Sequence, residues 1–265
     1  MKTKDIKLAI FDIDDTLIKR GKVTIEESAK QAIKVLQAKG IEVMVATGRA
    51  FYFIHDDIHA SINPNYYVST NGACVYDKDL NLVFKVVMDL KEVNEIIHYA
   101  RNNDIAIALK LEKNMPVYHN LNIFQTTYMQ GSQKQYILED RTQNDVNVTE
   151  DVMGLFLMGD EKLIEEADRF TDDTFAHAYQ GAYDIYSKDA GKIKGIEYVL
   201  NDLNLTWDHV IAFGDAANDQ EMIEKAKIGV AMGNATESLK KAADYTTTDI
   251  LDNGVYNALK HYDLI

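Results

Sequence analysis

Five short apolar runs in this chain each stop at a cluster of polar residues. LAIF (8–11) ends at Asp12, and VMVA (43–46) ends at Thr47, Gly48 and Arg49. YYV (66–68) runs into Ser69, Thr70, Asn71 and Gly72. VIAF (210–213) runs into Gly214 and Asp215, and IGVAM (228–232) into Gly233 and Asn234. Short runs that are apolar at consecutive positions fit strands buried on both faces of a parallel sheet. Helical patterns lie between them. Thr24 and Glu27 make a capping-box pattern, Ala29, Ala32, Ile33 and Leu36 follow at helical spacing, and Gly40 closes the segment. Ile196, Val199, Leu200 and Leu203 repeat the stripe. This alternation predicts a doubly wound, Rossmann-like α/β sheet. Ligands bind beyond the carboxyl ends of such strands, so the polar clusters point to one site.

The middle of the chain lacks these polar strand ends. Candidate strands there are 105–111, 152–159, 174–179 and 182–187, with candidate helices at 90–102 and 161–170. Residues 120–150 are polar and show no clear period. The expected organisation is a core of 1–82 and 188–265, with an inserted α/β cap domain at 83–187 that could act as a lid.

Composition narrows the function. The chain has 265 residues, 46% apolar and 26% charged, enough for a substantial core. A net charge of −14 argues against nucleic acid or an anionic membrane as partner, but local cations in a cleft can still receive a small anion. No apolar run is long enough to span a bilayer, and MKTKDIK has no apolar signal core. The single cysteine, Cys74, suits a reducing cytoplasm and reads as a buried, inert thiol.

Asp12 and Asp14, two apart at a strand end, can reach the same side. Asp215 and Asp219 arrive from GDAAND (214–219). Four carboxylates in one cleft repel unless a cation joins them, and hard oxygen ligands select magnesium. The set suggests phosphoryl transfer. One carboxylate attacks phosphorus, a second manages the proton, and Thr47 and Lys194 offer a hydroxyl and a positive charge.

DIDDTL (12–17) resembles the first motif of the haloacid dehalogenase-like (HAD) phosphatases. TGR (47–49), Lys194 before Gly195, and GDAAND resemble the second, third and fourth in order. STNGA (69–73) and the placement of the insertion resemble the Cof-type branch, which carries a large α/β cap. The resemblance implies a magnesium-dependent phosphatase acting on small phosphorylated metabolites. In that scheme Asp12 is the nucleophile and a metal ligand. Asp14 is the general acid/base and lends its backbone carbonyl to the metal. Asp215 is the third protein ligand, and Asp219 supports the metal's waters. Thr47, Gly48 and Asn218 hold the phosphoryl group, Lys194 neutralises it, and Asn71 and Gly72 meet substrate. KDAGKIKG (188–195) also offers Lys188 and Lys192, with Lys-Gly before a helix favouring Lys194. Asp15, where many relatives have glycine, reads as a turn residue.

Blander readings apply elsewhere. Arg49 reads as a surface charge and Asn234 as a turn residue. His55 and His59, four apart, read as a helix face without a third ligand. Trp207 reads as packing, and Tyr118, Tyr179, Tyr183 and Tyr186 as half-buried strand tyrosines. A phosphomutase, a receiver domain and a phospho-ligand-binding protein without turnover are the rival functions. Neither the substrate nor the oligomeric state is legible.

Overall fold

The computed structural model describes residues 4–130, 132–179 and 181–265. Strands β1 (Leu8–Phe11), β2 (Glu42–Ala46), β3 (Tyr66–Ser69), β4 (Cys74–Asp77) and β5 (Leu82–Lys85) come first. The middle of the chain supplies β6 (Ala106–Lys110), β7 (Met115–His119), β8 (Leu138–Asp140), β9 (Gly154–Met158), β10 (Thr174–Tyr179) and β11 (Ala182–Tyr186). The last third adds β12 (Val210–Gly214), β13 (Ile228–Ala231) and β14 (Tyr245–Thr246).

Two compact units result. The first comprises the chain through Arg49, Ile54–Phe84 and Lys192–Ile265; the second comprises Ala50–Phe53 and Lys85–Gly191. The junctions at 84/85 and 191/192 lie a few residues beyond those expected; at the first, most of β5 (Leu82–Lys85) stays with the first sheet. The short segment after Arg49 joins the second unit, which the sequence did not signal.

The first unit holds an eight-stranded sheet in the order β14-β13-β12-β1-β2-β3-β4-β5. The six strands from β14 to β3 pair in parallel, whereas β4 pairs antiparallel with β3. Leu8, Ala9, Ile10 and Phe11 are fully buried, as a central strand covered on both faces requires. Phe11 lies opposite Phe213, with ring centroids 4.8 Å apart, so β1 and β12 end level with one another. The Asp12 amide donates to the Phe213 carbonyl at 3.0 Å, carrying that register into the loops. Helix 27–38 buries Ala29, Ala32, Ile33 and Leu36 as expected, and Gly40 follows it at φ +78. The Thr24 capping box does not form. The helix starts at Glu27 with Glu26 at the N-cap and no side-chain cap.

The second unit holds a six-stranded sheet in the order β10-β11-β9-β6-β7-β8, antiparallel except for β7 with β8. Its alternation is that of an antiparallel sheet. Ile107, Leu109, Leu155 and Leu157 pack on Val93, Ile96 and Ile97 of the helix Leu90–Asn102. Ala106, Ala108, Phe156 and Met158 cluster with Phe124, Ile137, Ala50 and Phe53. The expected helix at 161–170 is α-helical only through Glu165 and tightens to 3₁₀ over Glu166–Phe170.

Candidate active site

Asp12, just beyond β1, is 6% exposed. Its carboxylate accepts one hydrogen bond among the described residues, from Lys192 Nζ to Oδ1 at 2.6 Å. Lys192 Nζ also donates to Asp219 Oδ1 at 2.7 Å. Asp215, beyond β12, completes a cluster in which Asp12, Asp215 and Asp219 bring ligand oxygens within 4.8 Å of one another. Widely separated acids from two strand ends therefore do converge.

The lysine differs from the one expected. Lys194 is exposed, while Lys192 is buried between two carboxylates. The helix begins at Lys192, and its inward stripe is Lys192, Gly195, Ile196, Val199 and Leu200. Lys194 lies about 200° round the helix from Lys192, so it faces away. The same stripe was visible in the sequence. Extended back one turn from Ile196, it reaches Lys192.

Asp219 is fully buried. Its Oδ2 accepts the backbone amides of Asp215 and Ala216, both at 3.1 Å, while Oδ1 takes Lys192. It thus anchors the GDAAND loop and aims the lysine. Close approach makes Gly214 necessary there, since a Cβ on it would lie 2.5 Å from that of Asp219.

The electrostatics follow from this crowding. Burial pushes Asp12 well above the usual carboxylate range, and Asp219, Asp215 and Asp14 add to the rise against the opposing pull of Lys192. Burial, with Asp219 and Asp15 beside it, pushes Asp215 up to about 7. Desolvation disfavours the Lys192 charge, but Asp12 and Asp219 outweigh it and hold the ammonium protonated. One lysine does not neutralise three acids. The donor set of hard carboxylate oxygens fits a small divalent cation held by Asp12 and Asp215, with Asp219 behind them.

Asp14 stands apart from that cluster. The Arg49 guanidinium grips it through Nε to Oδ2 at 2.8 Å and Nη2 to Oδ1 at 2.7 Å. Burial opposes the charge on Asp14, yet the Arg49 fork wins and lowers its pKa below the ordinary carboxylate value. Arg49 is thereby a site residue rather than a surface charge. Its position in TGR at a strand end was the available signal.

The phosphate-binding candidates form a second group. Thr47 is buried, its hydroxyl accepts the Arg49 amide at 3.2 Å, and its carbonyl accepts the Asn71 amide at 3.1 Å. Thr70 and Asn71 both sit at φ +50 and Gly72 at φ +89. A left-handed threonine is uncommon and persists only where neighbours fix it; here the Arg49 carbonyl accepts its amide at 2.7 Å. Asn71 lies against Gly48, where a Cβ would come within 2.9 Å of its Oδ1. Asn218 is exposed on the turn Ala217–Asp219. Asp15, at φ +55, is the turn residue expected.

The other candidates remain structural. His59 Nδ1 lies 3.0 Å from the Tyr67 hydroxyl, and His55 is the N-cap of the helix Asp56–Ser61. Cys74 is buried. Tyr118 and Tyr183 are buried in the second unit, and the Tyr179 side chain lies outside the described residues. Among the described residues no helix is long and apolar enough to cross a membrane.

The motif order and this geometry define a class. The pattern of the haloacid dehalogenase-like hydrolases matches residues 9–259, and the chain belongs to that family. Its kinship lies with phosphatases. It is 25% identical over 266 residues to the Bacillus subtilis 5-amino-6-(5-phospho-D-ribitylamino)uracil phosphatase YcsE, covering 98% of this chain and 97% of that one. A putative bifunctional phosphatase/peptidyl-prolyl cis-trans isomerase of Streptococcus pyogenes is 28% identical over 270 residues. The match spans all of this chain and 55% of that longer protein. The solved structure of the HAD subclass IIB sugar phosphatase BT4131 superposes with a TM-score of 0.83 at 25% identity, covering 98% of this chain and 100% of that one.

Proposed function

We propose that this HAD-family phosphatase hydrolyses small phosphorylated metabolites through an aspartyl-phosphate on Asp12, with magnesium as cofactor. The observation that carries the reading is the buried Asp12 carboxylate, held by Lys192 on one oxygen and open on the other, beside Asp215.

The Asp12 oxygen attacks phosphorus, and the bond from phosphorus to the leaving oxygen breaks. Asp14 donates a proton to that oxygen, then takes one from the water that attacks the aspartyl-phosphate, releasing inorganic phosphate and restoring Asp12. For the first transfer Asp14 must leave the Arg49 fork and take up a proton from solvent, which arrival of the substrate's anionic group favours by competing for Arg49. Thr47, Gly48, Asn71, Gly72 and Asn218 receive the phosphoryl oxygens, and Lys192 takes the charge-neutralising role expected of Lys194. A bound magnesium would supply the charge stabilisation that three acids and one lysine lack.

The second unit is assigned selection of the leaving group. The names of the relatives favour sugar-like and ribityl phosphates, with pyridoxal phosphate, nucleotides and flavin phosphates as further members of the panel. A cytoplasmic setting suits the lone buried Cys74.

The test is a hydrolysis screen over that panel, with magnesium and with a chelator. Release of phosphate that stops on chelation and returns with magnesium is expected. Full activity in chelator contradicts the metal assignment, and transfer to a second sugar hydroxyl without phosphate release would make the protein a phosphomutase.

A further inference from the structure

The loop after β13 does more than turn the chain. Asn234 Nδ2 donates to the Asp15 carbonyl at 2.8 Å, and its Oδ1 accepts the Ile250 amide at 3.0 Å. Two residues on, the Thr236 amide donates to the Asp215 carbonyl at 2.9 Å. The Met232 and Gly233 amides donate to the Gly214 and Thr248 carbonyls, both at 3.0 Å. A Cβ on Gly233 would lie 2.4 Å from the Asp249 nitrogen, so this loop is pressed against 248–249. One stretch of five residues thus ties the Asp15 loop to the Asp215 loop.

The tie falls where the Asp12 loop needs it. Asp15 is left-handed at φ +55, a conformation that its surroundings must enforce in a non-glycine residue. Its side chain is already committed to Lys19 at 2.8 Å and to the Arg20 amide at 3.0 Å. Asn234 fixes the carbonyl, and hence the Asp15–Thr16 peptide plane. Thr16, fully buried, turns its hydroxyl to Asp215 Oδ1 at 3.4 Å. The amide side chain serves both partners from separate atoms, Nδ2 donating to Asp15 and Oδ1 accepting from Ile250.

We propose that Asn234 is a positioning residue for phosphate-ester hydrolysis: it touches no reacting atom and keeps the Asp12–Thr16 loop in register with Asp215. The inference rests on the phosphatase reading for its kinetic arm only.

The test uses Asn234→Asp, which keeps the acceptor and loses the donor. Asn234→Ser, neutral and smaller, covers the case in which the added charge prevents folding. Turnover is measured on p-nitrophenyl phosphate, whose leaving group needs little protonation, and on glucose 6-phosphate, whose leaving group needs it. Amide hydrogen exchange over 13–18 is followed in the metal-free protein. The expected result is a kcat loss of roughly 10- to 100-fold on the sugar phosphate with KM within about twofold, and a smaller loss on the aryl ester. Exchange at the Asp15 and Ile18 amides quickens. Unchanged kcat on both esters, or an equal loss on both with unchanged exchange, overturns the proposal. Failure of the Asp12 aspartyl-phosphate reading would appear instead as turnover surviving Asp12→Asn, and failure of the phosphatase reading as no phosphate release by the wild type; both leave the exchange arm untouched.

Discussion

Both units of this molecule bury charge, and they balance it differently. In the second unit Lys110 on β6 is 3% exposed and pairs with Asp184 on β11, its ammonium 5.5 Å from the centre of the Phe156 ring. Here a cation meets an anion across the intervening strand β9, and the aromatic face adds to the pairing. In the first unit, Asp12, Asp215 and Asp219 share a single Lys192, and Arg49 is spent on Asp14. The first arrangement is closed and holds a sheet together. The second has a surplus of negative charge that folding alone does not reward. That imbalance, more than burial itself, distinguishes the proposed cation and phosphoryl site from a structural ion pair.

The sharpest break of this comparison is Asp12→Asn, expected to cut kcat by about 10⁴-fold or more, since the other groups act through that carboxylate. Circular dichroism checks that the fold is kept, and near-normal hydrolysis would remove Asp12 from the chemistry. Lys192→Met is next, with an expected loss of roughly 10²- to 10³-fold in kcat at saturating magnesium, the scale for removing one electrostatic contact to a developing charge. Lys110→Met tests the other side. Removing the buried cation beside Asp184 should cost roughly 3 kcal/mol of stability by denaturant titration, and combining it with Asp184→Leu should recover most of that. If the single change costs nothing, the Lys110 pair is no structural balance.

A smaller effect reads the surplus charge through pH. Asp215 is raised from its ordinary 3.8 to about 7, so between those values the folded protein holds a proton that the unfolded chain has lost. Stability of the metal-free protein therefore falls as pH rises through that window, and the contribution is flat above about 7. Magnesium affinity runs the other way, rising by up to about tenfold per pH unit until Asp215 is ionised. Calorimetry on wild type and Asp215→Asn checks both, since the variant should lose the Asp215 share of the stability slope and keep only that of Asp12. The smallest effect is Lys194→Ala, with kcat expected within about twofold of wild type because exposed side chains away from the chemistry contribute little. A loss matching that of Lys192→Met would reverse the lysine assignment.

These contrasts also explain what the sequence could convey. β1, β2, β3, β12 and β13 were legible because strands buried on both faces read as unbroken apolar runs, and their polar ends marked the site. β7 was hidden by Pro116, which argues against a strand, and β8 is three residues inside a polar stretch. Asp12, Asp215 and Asp219 could be grouped from motif order. Lys192 was named but ranked below Lys194 because the helix was taken to start after Gly195, and helix ends are the least certain part of such readings. Arg49 and Asn234 were undervalued for another reason. Each is defined by one partner distant in sequence, Asp14 and Asp15, and no local period records such a contact.

The account's central claim is covalent: phosphorus is transferred to the Asp12 side chain. Rapid acid quench of the magnesium-loaded enzyme during turnover of a good substrate, followed by peptide mass spectrometry, tests it directly. The predicted result is a phosphoryl group on the peptide containing Asp12, located at that residue and absent from Asp12→Asn. Turnover with no phosphorylated Asp12 at any quench time, in a variant of Asp14 that slows hydrolysis of the intermediate, would contradict it.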